Sequence, residues 1–412
     1  MTGADADALE VRPPRPDELD EFFAHHDRVY GRAADPRLAD VWREAFDYGR
    51  SLVGRRDGRL VATAGAMAGR LRTPGGSVSA AILSYLTVDP SQRRRSLSVD
   101  ILRRQYEESI ERGEPVAAFV TSHSYPYARI GAGVVAWSSS IELHNAQALL
   151  LPTPTLSSEI SLRTESSCSS LSEELGELYT QATASRAGTL ELEPQWWRAY
   201  RAELALAGGP QFVLIATRQG RSSGYATYSV EEAWPDGVPS NVVRVHELIA
   251  EDQPTRRALW ELLLTLDLAS TTLVDNVPVD DTLRWFLREP RELRVRGMRD
   301  LLWARLLDLP EALAGRRYRG NGSVVIEVSD RFLPRNDGCW RIEASDGEGR
   351  ATKTDAAPQA SISIGDLATL LTGAGSYYAL RDTGRVKVHD SGADELAALF
   401  AVDQAPWSAI IV

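Results

Sequence analysis

The sequence predicts a mixed α/β fold made of three consecutive units, and three patterns support this prediction. Residues 1–150 and residues 151–294 each contain strands followed by a polar, arginine-containing turn and a helix. Residues 295–412 alternate short strands with helices and end in an apolar tail. A chain of 412 residues is also too long for one ordinary hydrophobic core. We therefore expect two related α/β units and a third unit of the α+β class.

The first unit, residues 1–150, shows both helical and strand periodicity. A short strand is expected at Leu9–Arg12, and Asp17 is the predicted N-cap of the helix that follows. Alternating apolar residues from Val78 to Val88 predict a strand, and apolar residues at helical spacing predict a helix over Leu97–Arg112. Four residues form the expected buried face of the earlier helix: Leu19, Phe22, Phe23 and Tyr30.

The second and third units are predicted in the same way. Residues 150–172 are rich in proline, serine and threonine, which is typical of a connection. The elements expected in the second unit are the strands Phe212–Thr217, Gly224–Val230 and Val242–Ile249 and the helix Thr255–Leu268. The elements expected in the third unit are the strands Ser323–Val328, Cys339–Ala344 and Val386–His389 and the helices Asp366–Thr372 and Asp394–Phe400.

Composition excludes several classes of function. The net charge of −11 disfavours nucleic acid or an anionic membrane as the main partner. No apolar run approaches the ~20 residues that span a bilayer, and the acidic start lacks the apolar segment of a signal peptide. Two cysteines, Cys168 and Cys339, and scattered histidines offer neither a disulfide framework nor a metal-ligand cluster. We therefore expect a cytoplasmic protein without a metal.

The last six residues, Trp407–Val412, are apolar and end on a β-branched residue. Terminal segments are usually polar and frayed, so this composition predicts a tail that is tucked inside the protein. Burying Val412 would also bury its α-carboxylate, which is costly unless the charge is paired or used. Because desolvation raises the pKa of a carboxylate, such a group would be an improved proton acceptor.

A basic turn, Gln92–Ser98, lies between the predicted strand and helix of the first unit. A helix N-terminus presents unpaired N–H groups and a positive dipole end, which suit a pyrophosphate. The three successive arginines of this turn add positive charge for phosphate contact. Local sequence alone leaves open a solvated basic turn as the alternative.

Two segments carry a resemblance to a known family. Val88–Leu97, V-D-P-S-Q-R-R-R-S-L, resembles the V-x-P-x-x-R-R-R-G-L coenzyme A loop of the enhanced intracellular survival (Eis) family of GNAT acyltransferases. Ser122–Gly133, S-H-S-Y-P-Y-A-R-I-G-A-G, is similar to the family's S-E-x-x-x-Y-x-R-F-G-Y-G. Later blocks at Arg244–Leu248, Leu301–Leu306 and Leu309–Leu313 extend the resemblance over nearly the whole chain.

The resemblance implies an architecture and a set of site residues. It implies two tandem GNAT-type domains, only the first of which binds coenzyme A, and then a sterol-carrier-like domain whose terminal carboxylate inserts into the first domain's active site. Tyr127 matches the general acid that protonates the departing thiolate, and Val412 matches the residue whose carboxylate accepts the amine proton. The matching coenzyme A-binding residues are Leu86, Thr87, Val88, Arg94, Arg95, Ser96, Leu97, Ser98, Val99, Ser122 and His123.

The sequence departs from the family pattern at informative positions. Ser96 replaces a glycine that relaxes φ and lets the backbone approach phosphate, so it either adds a hydrogen bond or reduces affinity for coenzyme A. Val412 replaces the usual terminal aromatic residue, and His123 stands where the family has glutamate. Tyr125 is the alternative acid should the register of the match slip. Asp27, on the first helix, aligns roughly with an acidic residue of the family's substrate pocket. The alternative is that Asp27 is an ordinary residue on the helix surface.

The leading hypothesis is an acetyl-coenzyme A-dependent N-acyltransferase that acts on a primary amine of a small molecule. Amine attack on a thioester needs a base, a polarised carbonyl and an acid for the leaving thiolate, without a covalent nucleophile. One alternative is a biosynthetic tailoring enzyme of the same fold with a different or absent acyl donor. Another is a non-catalytic protein that binds a lipid or small molecule. The resemblance further implies a homo-oligomer, and a hexamer is the oligomeric state that it suggests.

Overall fold

The computed structural model describes residues 9–33, 35–93, 96–152, 160–166, 169–206, 209 and 212–410. The predicted apolar alternation and helical spacing are largely realised in the first part of the chain. Its elements are β1 (Glu10–Arg12), α1 (Leu19–Val29), α2 (Pro36–Arg43), β2 (Ser51–Arg56), β3 (Arg59–Thr73), β4 (Gly76–Val88), α3 (Leu97–Glu111), β5 (Val116–Phe119), α4 (Ser124–Arg129) and β6 (Ala132–His144).

The middle of the chain continues the same alternation of strands and helices. Its elements are β7 (Ile160–Glu165), α5 (Ser172–Ala182), β8 (Leu190–Leu192), α6 (Pro194–Leu206), β9 (Phe212–Arg218), β10 (Arg221–Glu231), β11 (Asn241–Ala250), α7 (Gln253–Leu264), β12 (Ala269–Val277), α8 (Leu283–Phe286) and β13 (Leu293–Leu306). The last part contains α9 (Leu309–Ala314), β14 (Gly322–Ser329), β15 (Gly338–Ser345), β16 (Glu348–Lys353), β17 (Ala360–Ser363), α10 (Ile364–Thr372), α11 (Tyr377–Asp382), β18 (Val386–Val388) and α12 (Glu395–Leu399).

Two sheets organise these elements. The first two units share one large sheet in the order β1-β2-β3-β4-β5-β13-β6-β12-β11-β10-β9-β7, and β8 pairs with β3 beside this path. The third unit has its own sheet in the order β16-β15-β14-β17-β18. The predicted boundary at residue 295 falls inside β13, which lies between β5 and β6 of the large sheet. The first half of β13 is exposed and rich in arginine, which hides its strand character in the sequence.

The third unit docks on β6 through α10. A Cβ on Gly133 would lie 1.8 Å from the carbonyl oxygen of Gly365, so only glycine allows this close approach. Thr372 Oγ1 donates to the carbonyl of Val135 at 2.8 Å, and Trp137 Nε1 donates to that of Ala374 at 2.9 Å. The main hydrophobic core is therefore continuous between the large sheet and the third unit.

Several sequence-based expectations are confirmed and others are wrong. The predicted strand ending at Val88 and the helix beginning at Leu97 are present. The predicted N-cap Asp17 is wrong because a 3₁₀ turn over Pro16–Glu18 precedes α1. Tyr30 follows α1 and is 49% exposed, so it does not belong to the buried face. The segment predicted to be a connection, residues 150–172, contains the strand β7. The serine and threonine of this strand hide its short apolar alternation in the sequence. Among the residues described, no helix is both long enough and apolar enough to cross a membrane.

Candidate functional site

A cavity of about 860 Å³ opens where β4 and β5 separate. The two strands pair in parallel only between Ala80–Ile82 and Val116–Ala118. Beyond this short ladder, residues 83–88 form one wall and residues 119–123 form the other. Because β5 provides no partner for the last part of β4, the backbone groups on that edge of β4 remain available to a ligand. An extended ligand with amide groups could therefore add to β4 as a strand would.

A bulge in β4 shapes the middle of this wall. The pairing of β3 with β4 shifts register between Thr63 and Gly65, and Tyr85 has a φ of +56°. This conformation is strained for a bulky residue and is found mainly where the surroundings enforce it. Thr63 Oγ1 donates to the carbonyl of Tyr85 at 2.7 Å, and a Cβ on Gly65 would lie 2.9 Å from the Tyr85 ring. The bulge thus turns the Tyr85 ring into the cavity wall, a feature that the regular alternation of the sequence does not predict.

The N-terminus of α3 closes one end of the cavity. Ser96 is the N-cap residue, with φ +61° and ψ 6°, a left-handed conformation that favours glycine. Ser98 and Val99 line the cavity, whereas the Leu97 side chain is buried, so Leu97 could contact a ligand only through its backbone. The predicted residues Arg94 and Arg95 lie outside the described residues. An anion at this end would meet the positive end of the α3 dipole.

Two arginines and most of the predicted coenzyme A-binding residues line this cavity. Arg32 and Arg93 line it together with the α3 residues. Arg32 follows α1 and was missed because nothing in the local sequence distinguishes it from the other arginines. Thr87 Oγ1 is buried against Thr63 Oγ1 at 2.5 Å, so Thr87 offers its backbone to the cavity. The predicted coenzyme A-binding residues found in the lining are Leu86, Thr87, Val88, Ser98, Val99, Ser122 and His123.

Tyr127 lies on α4 and lines the same cavity. Its ring packs on that of Phe119, with centroids 4.7 Å apart. Burial, and then the neighbouring Tyr30 hydroxyl, raise the pKa of Tyr127 to about 12, against a small opposing effect of the hydrogen bond with Thr121. The phenol therefore remains protonated at neutral pH and can serve as a proton donor. The alternative acid Tyr125 is 74% exposed and does not line the cavity.

A second cavity of only about 10 Å³, the space of one water molecule, is also lined by Tyr85. Its lining includes Trp42, Phe46 and Met67, and Tyr85 lines both cavities. Trp42 Nε1 donates to Glu203 Oε2 at 2.6 Å, and the Trp42 ring lies 6.5 Å from that of Tyr85. Within the described part of the chain, no arginine or lysine pairs with Glu203. An unpaired carboxylate beside aromatic faces is an arrangement that attracts an organic cation.

Sequence reasoning missed Glu203 because it lies on α6, far along the chain from Trp42. The signal was present as a helical stripe of Trp196, Tyr200 and Glu203, at spacings of four and three residues. The Trp196 and Tyr200 rings stack at 4.7 Å, and the Trp196 ring lies 6.2 Å from Trp42. The helix α6 of the second unit therefore packs against Trp42, which lines the second cavity.

The Asp27 carboxylate pairs with His26 on α1, at 3.5 Å between Oδ1 and Nδ1. His26 lines the larger cavity, and its ring centroid lies 5.4 Å from that of Tyr85. Burial lowers the pKa of His26, which outweighs the opposing effect of Asp27. Asp27 is thus partly buried against the lining residue His26 and does not itself line the cavity.

The tail is buried, as predicted, as far as the structure describes it. Residues Trp407–Ile410 are at most 6% exposed. The Trp407 backbone N–H donates to the carbonyl of Ala187 at 2.8 Å, and the Trp407 indole donates to Asn276 Oδ1 at 2.8 Å. The tail is therefore fastened to the loop at Ala187 and to the strand β12 of the second unit. Val412 lies outside the described residues, so its role stays a prediction.

The second unit has a buried ion pair at the corresponding strand end. Parallel pairing of β11 with β12 stops at Val245, and Glu247 follows two residues later. Arg201 Nη2 lies 2.7 Å from Glu247 Oε2, and both side chains are at most 3% exposed. Tyr225 donates its hydroxyl to the same carboxylate at 2.8 Å. Side chains thus occupy this end of β11. That only the first unit binds coenzyme A stays a prediction.

Family models and relatives agree with this architecture. Residues 10–135 and 188–306 each match an acetyltransferase (GNAT) domain, and residues 309–409 match a sterol carrier protein domain. The chain is 31% identical to an uncharacterized N-acetyltransferase of Streptomyces coelicolor, over 97% of this chain and 98% of the relative. It is 29% identical to the N-acetyltransferase Eis of Mycobacterium tuberculosis, over 89% of this chain and 90% of that relative. The crystal structure of Eis1 from Mycobacterium abscessus superposes with a TM-score of 0.86 at 28% identity, over 98% of this chain and 100% of that chain.

Proposed function

The chain belongs to the Eis family of GNAT-type N-acetyltransferases, and from this premise we propose that it transfers an acetyl group from acetyl-coenzyme A to a primary amine of a small molecule. The observation that carries the proposal is the cavity between β4 and β5. It has a helix N-terminus at one end and the protonated Tyr127 hydroxyl in its wall. These are the two features that a phosphate-bearing thioester donor requires.

The described residues fit this donor along its length. The N–H groups at the start of α3, with Arg32 and Arg93, would hold the phosphates. The free edge of β4 at residues 86–88 would pair with the amides of the pantetheine arm. Arg94 and Arg95 stay predicted phosphate contacts. The bulge at Tyr85 would bring the thioester next to the boundary between the two cavities.

The chemistry needs two proton transfers and no covalent enzyme intermediate. The amine nitrogen attacks the thioester carbonyl, a C–N bond forms, and the C–S bond breaks. Tyr127 would donate its proton to the leaving sulfur, because its raised pKa keeps it protonated. The α-carboxylate of Val412 is the proposed acceptor of the amine proton. Support for this role comes from the buried segment Trp407–Ile410 that leads to it.

The amine would bind in the larger cavity at the ring of Tyr85, because the second cavity, at about 10 Å³, has room for no more than one water molecule. Its cationic form would be attracted by the Glu203 carboxylate and the surrounding ring faces. Since Tyr85 also lines the larger cavity, an amine held at its ring would face the donor at the β4 bulge. The acceptor class is therefore a small cationic amine. The homo-oligomer that the resemblance implies stays a prediction.

We expect Glu203→Gln to raise KM for the amine about tenfold, because a charge-assisted contact is lost while the Trp42 hydrogen bond is kept. KM for acetyl-coenzyme A should not change. Initial rates of thiol release at varied amine concentrations measure both constants. Glu177→Gln on the exposed side of α5 is the matched control. An unchanged KM for every accepted amine would remove Glu203 from the acceptor site.

Calorimetric titration with acetyl-coenzyme A tests the proposed function directly, with Ser96→Gly alongside. We expect micromolar binding by the natural chain, about −8 kcal/mol, and severalfold tighter binding by the glycine variant. Glycine accepts the φ of +61° without strain and removes the Cβ and hydroxyl that crowd a phosphate. Asp346→Gly is the control, because Asp346 also has a positive φ but lies in the third unit. Absence of binding by the natural chain, restored by Ser96→Gly, would reject the acetyl-coenzyme A-dependent function.

A further inference from the structure

His26 and Asp27 form a histidine–carboxylate pair at the wall of the larger cavity. His26 Nδ1 lies 3.5 Å from Asp27 Oδ1, and both side chains are largely buried. A carboxylate beside Nδ1 favours the tautomer that carries its proton there, which leaves the lone pair of the ring on Nε2. The roles proposed for Tyr127 and Val412 do not involve this pair.

The Nε2 atom of His26 is open to a ligand. It makes no hydrogen bond with a described residue and retains accessible surface, whereas Nε2 of the neighbouring His25 is buried without a partner. His26 lines the larger cavity. Its ring centroid lies 5.4 Å from that of Tyr85, the residue at which the amine is proposed to bind. A lone pair that can accept a proton therefore lies beside the expected position of the amine.

The groups around His26 keep its ring neutral at pH 7. Burial lowers the pKa of His26, the Asp27 carboxylate raises it, and the Arg32 guanidinium lowers it again. Burial is the largest of these effects, so the neutral form is present at pH 7 and can accept a proton. The other titratable residues that face the ring are His25, Tyr30 and Tyr85.

We infer that His26 is a catalytic base that removes the first proton from the bound ammonium group, an inference that rests on the proposed function. A cationic amine must lose one proton before its nitrogen can attack the thioester and a second proton afterwards. His26 Nε2 would take the first proton. The C–N bond then forms, the C–S bond breaks, and the Val412 carboxylate would take the second proton while Tyr127 protonates the sulfur.

The protons balance over one turnover. The proton held by Val412 replaces, through solvent, the one that Tyr127 gave to the sulfur. The imidazolium of His26, stabilised by Asp27, returns its proton to water after the product leaves. One proton is thus released for each ammonium ion that is acetylated.

The cavity wall favours His26 over water as the first acceptor. The proposed amine position is next to the Tyr85 ring, and desolvation there lowers the pKa of a bound ammonium group. The ammonium pKa then comes closer to that of an imidazole, and transfer to a base within hydrogen-bond reach becomes efficient.

The test compares two amines of nearly the same shape that differ in charge. 2-Phenylethylamine is an ammonium ion at pH 7. O-Benzylhydroxylamine, in which an oxygen replaces a methylene group, is neutral at pH 7 and has no first proton to lose. Thiol release from acetyl-coenzyme A is measured for the full chain and for His26→Asn, whose side-chain amide can still donate to Asp27.

We expect kcat/KM of His26→Asn to fall about 100-fold for 2-phenylethylamine and to change less than about threefold for O-benzylhydroxylamine. Affinity for acetyl-coenzyme A, measured by calorimetry, should stay the same. His144→Asn is the matched control, because His144 pairs with the Glu142 carboxylate at 3.8 Å on β6 and does not line the cavity.

Equal losses for both amines would overturn the inference, because they would indicate a distorted cavity instead of a missing base. Acetylation of only the neutral amine by the natural chain would also overturn it, since no ammonium ion would then be deprotonated. If the natural chain acetylated both amines and His26→Asn had no effect, the inference alone would fail. If the natural chain released thiol with neither amine, the proposed function and the inference would fail together.

Discussion

Replacing Tyr127 by phenylalanine is expected to lower kcat about 100-fold, within the range usual for a general acid. The phenyl ring keeps the contact with Phe119 and so preserves the shape of the cavity. What is lost is the hydroxyl proton for the leaving sulfur. Affinity for acetyl-coenzyme A should therefore stay within about twofold of the natural value. Steady-state thiol release, combined with calorimetric titration, separates these two quantities.

The pKa of Tyr127 adds a signature in the pH profile. Because burial raises that pKa to about 12, the natural enzyme should show no fall in kcat between neutral pH and pH 10. Loss of rate at low pH would then result from protonation of the amine or of the base that accepts its proton. Adding a glycine after Val412 should alter that acidic limb, whereas Tyr127→Phe should leave its position unchanged. Tyr125→Phe is the control, since its side chain is 74% exposed. Full activity in Tyr127→Phe would exclude its role as the acid.

The parts of the site that the sequence predicts are those built from contiguous residues. The turn from Val88 to Ser98 joins a strand to a helix N-terminus, and local rules describe such a junction well. Tyr127 lies in a short segment whose residue order resembles a family motif. Described residues of both segments, among them Val88, Ser98 and Tyr127, line one cavity of the structure.

The parts that the sequence does not predict depend on contacts between distant elements. The Trp42–Glu203 hydrogen bond joins α2 to α6, and no local pattern pairs these residues. The Tyr85 bulge depends on a register shift against β3, whereas the alternation from Val78 to Val88 looks regular in sequence. In each case the tertiary arrangement, not local preference, decides the function of the side chain.

The contact between the third unit and the donor cavity is also one that the sequence does not predict, because it depends on a buried ion pair between distant residues. The pair consists of Arg305 on β13 and Asp330, which follows β14. Arg305 Nη2 lies 2.6 Å from Asp330 Oδ2, and the two side chains are 0% and 1% exposed. Asp330 also accepts the backbone N–H groups of Phe332 and Leu333. The Phe332 ring then packs on Tyr106 of α3 at 6.0 Å. The pair thus holds a loop of the third unit against the helix that lines the donor cavity.

Asp330→Ala is expected to destabilise the protein by about 3–5 kcal/mol, because Arg305 would be left charged, buried and unpaired. Chemical denaturation followed by tryptophan fluorescence measures the change as a lower denaturant midpoint. Glu348→Ala is the matched control. It breaks the exposed pair with Arg317, whose side chains are 56% and 77% exposed, and should have little effect.

A double variant separates the cost of the unpaired charge from the role of the loop. Arg305→Met with Asp330→Leu removes both charges and should recover much of the lost stability, since buried ion pairs are often replaceable by apolar residues. The two backbone N–H groups of Phe332 and Leu333 would still lack their acceptor. The loop would then hold Phe332 less firmly against α3, and affinity for coenzyme A should stay reduced while stability returns. Full recovery of both properties would mean that the ion pair serves stability alone.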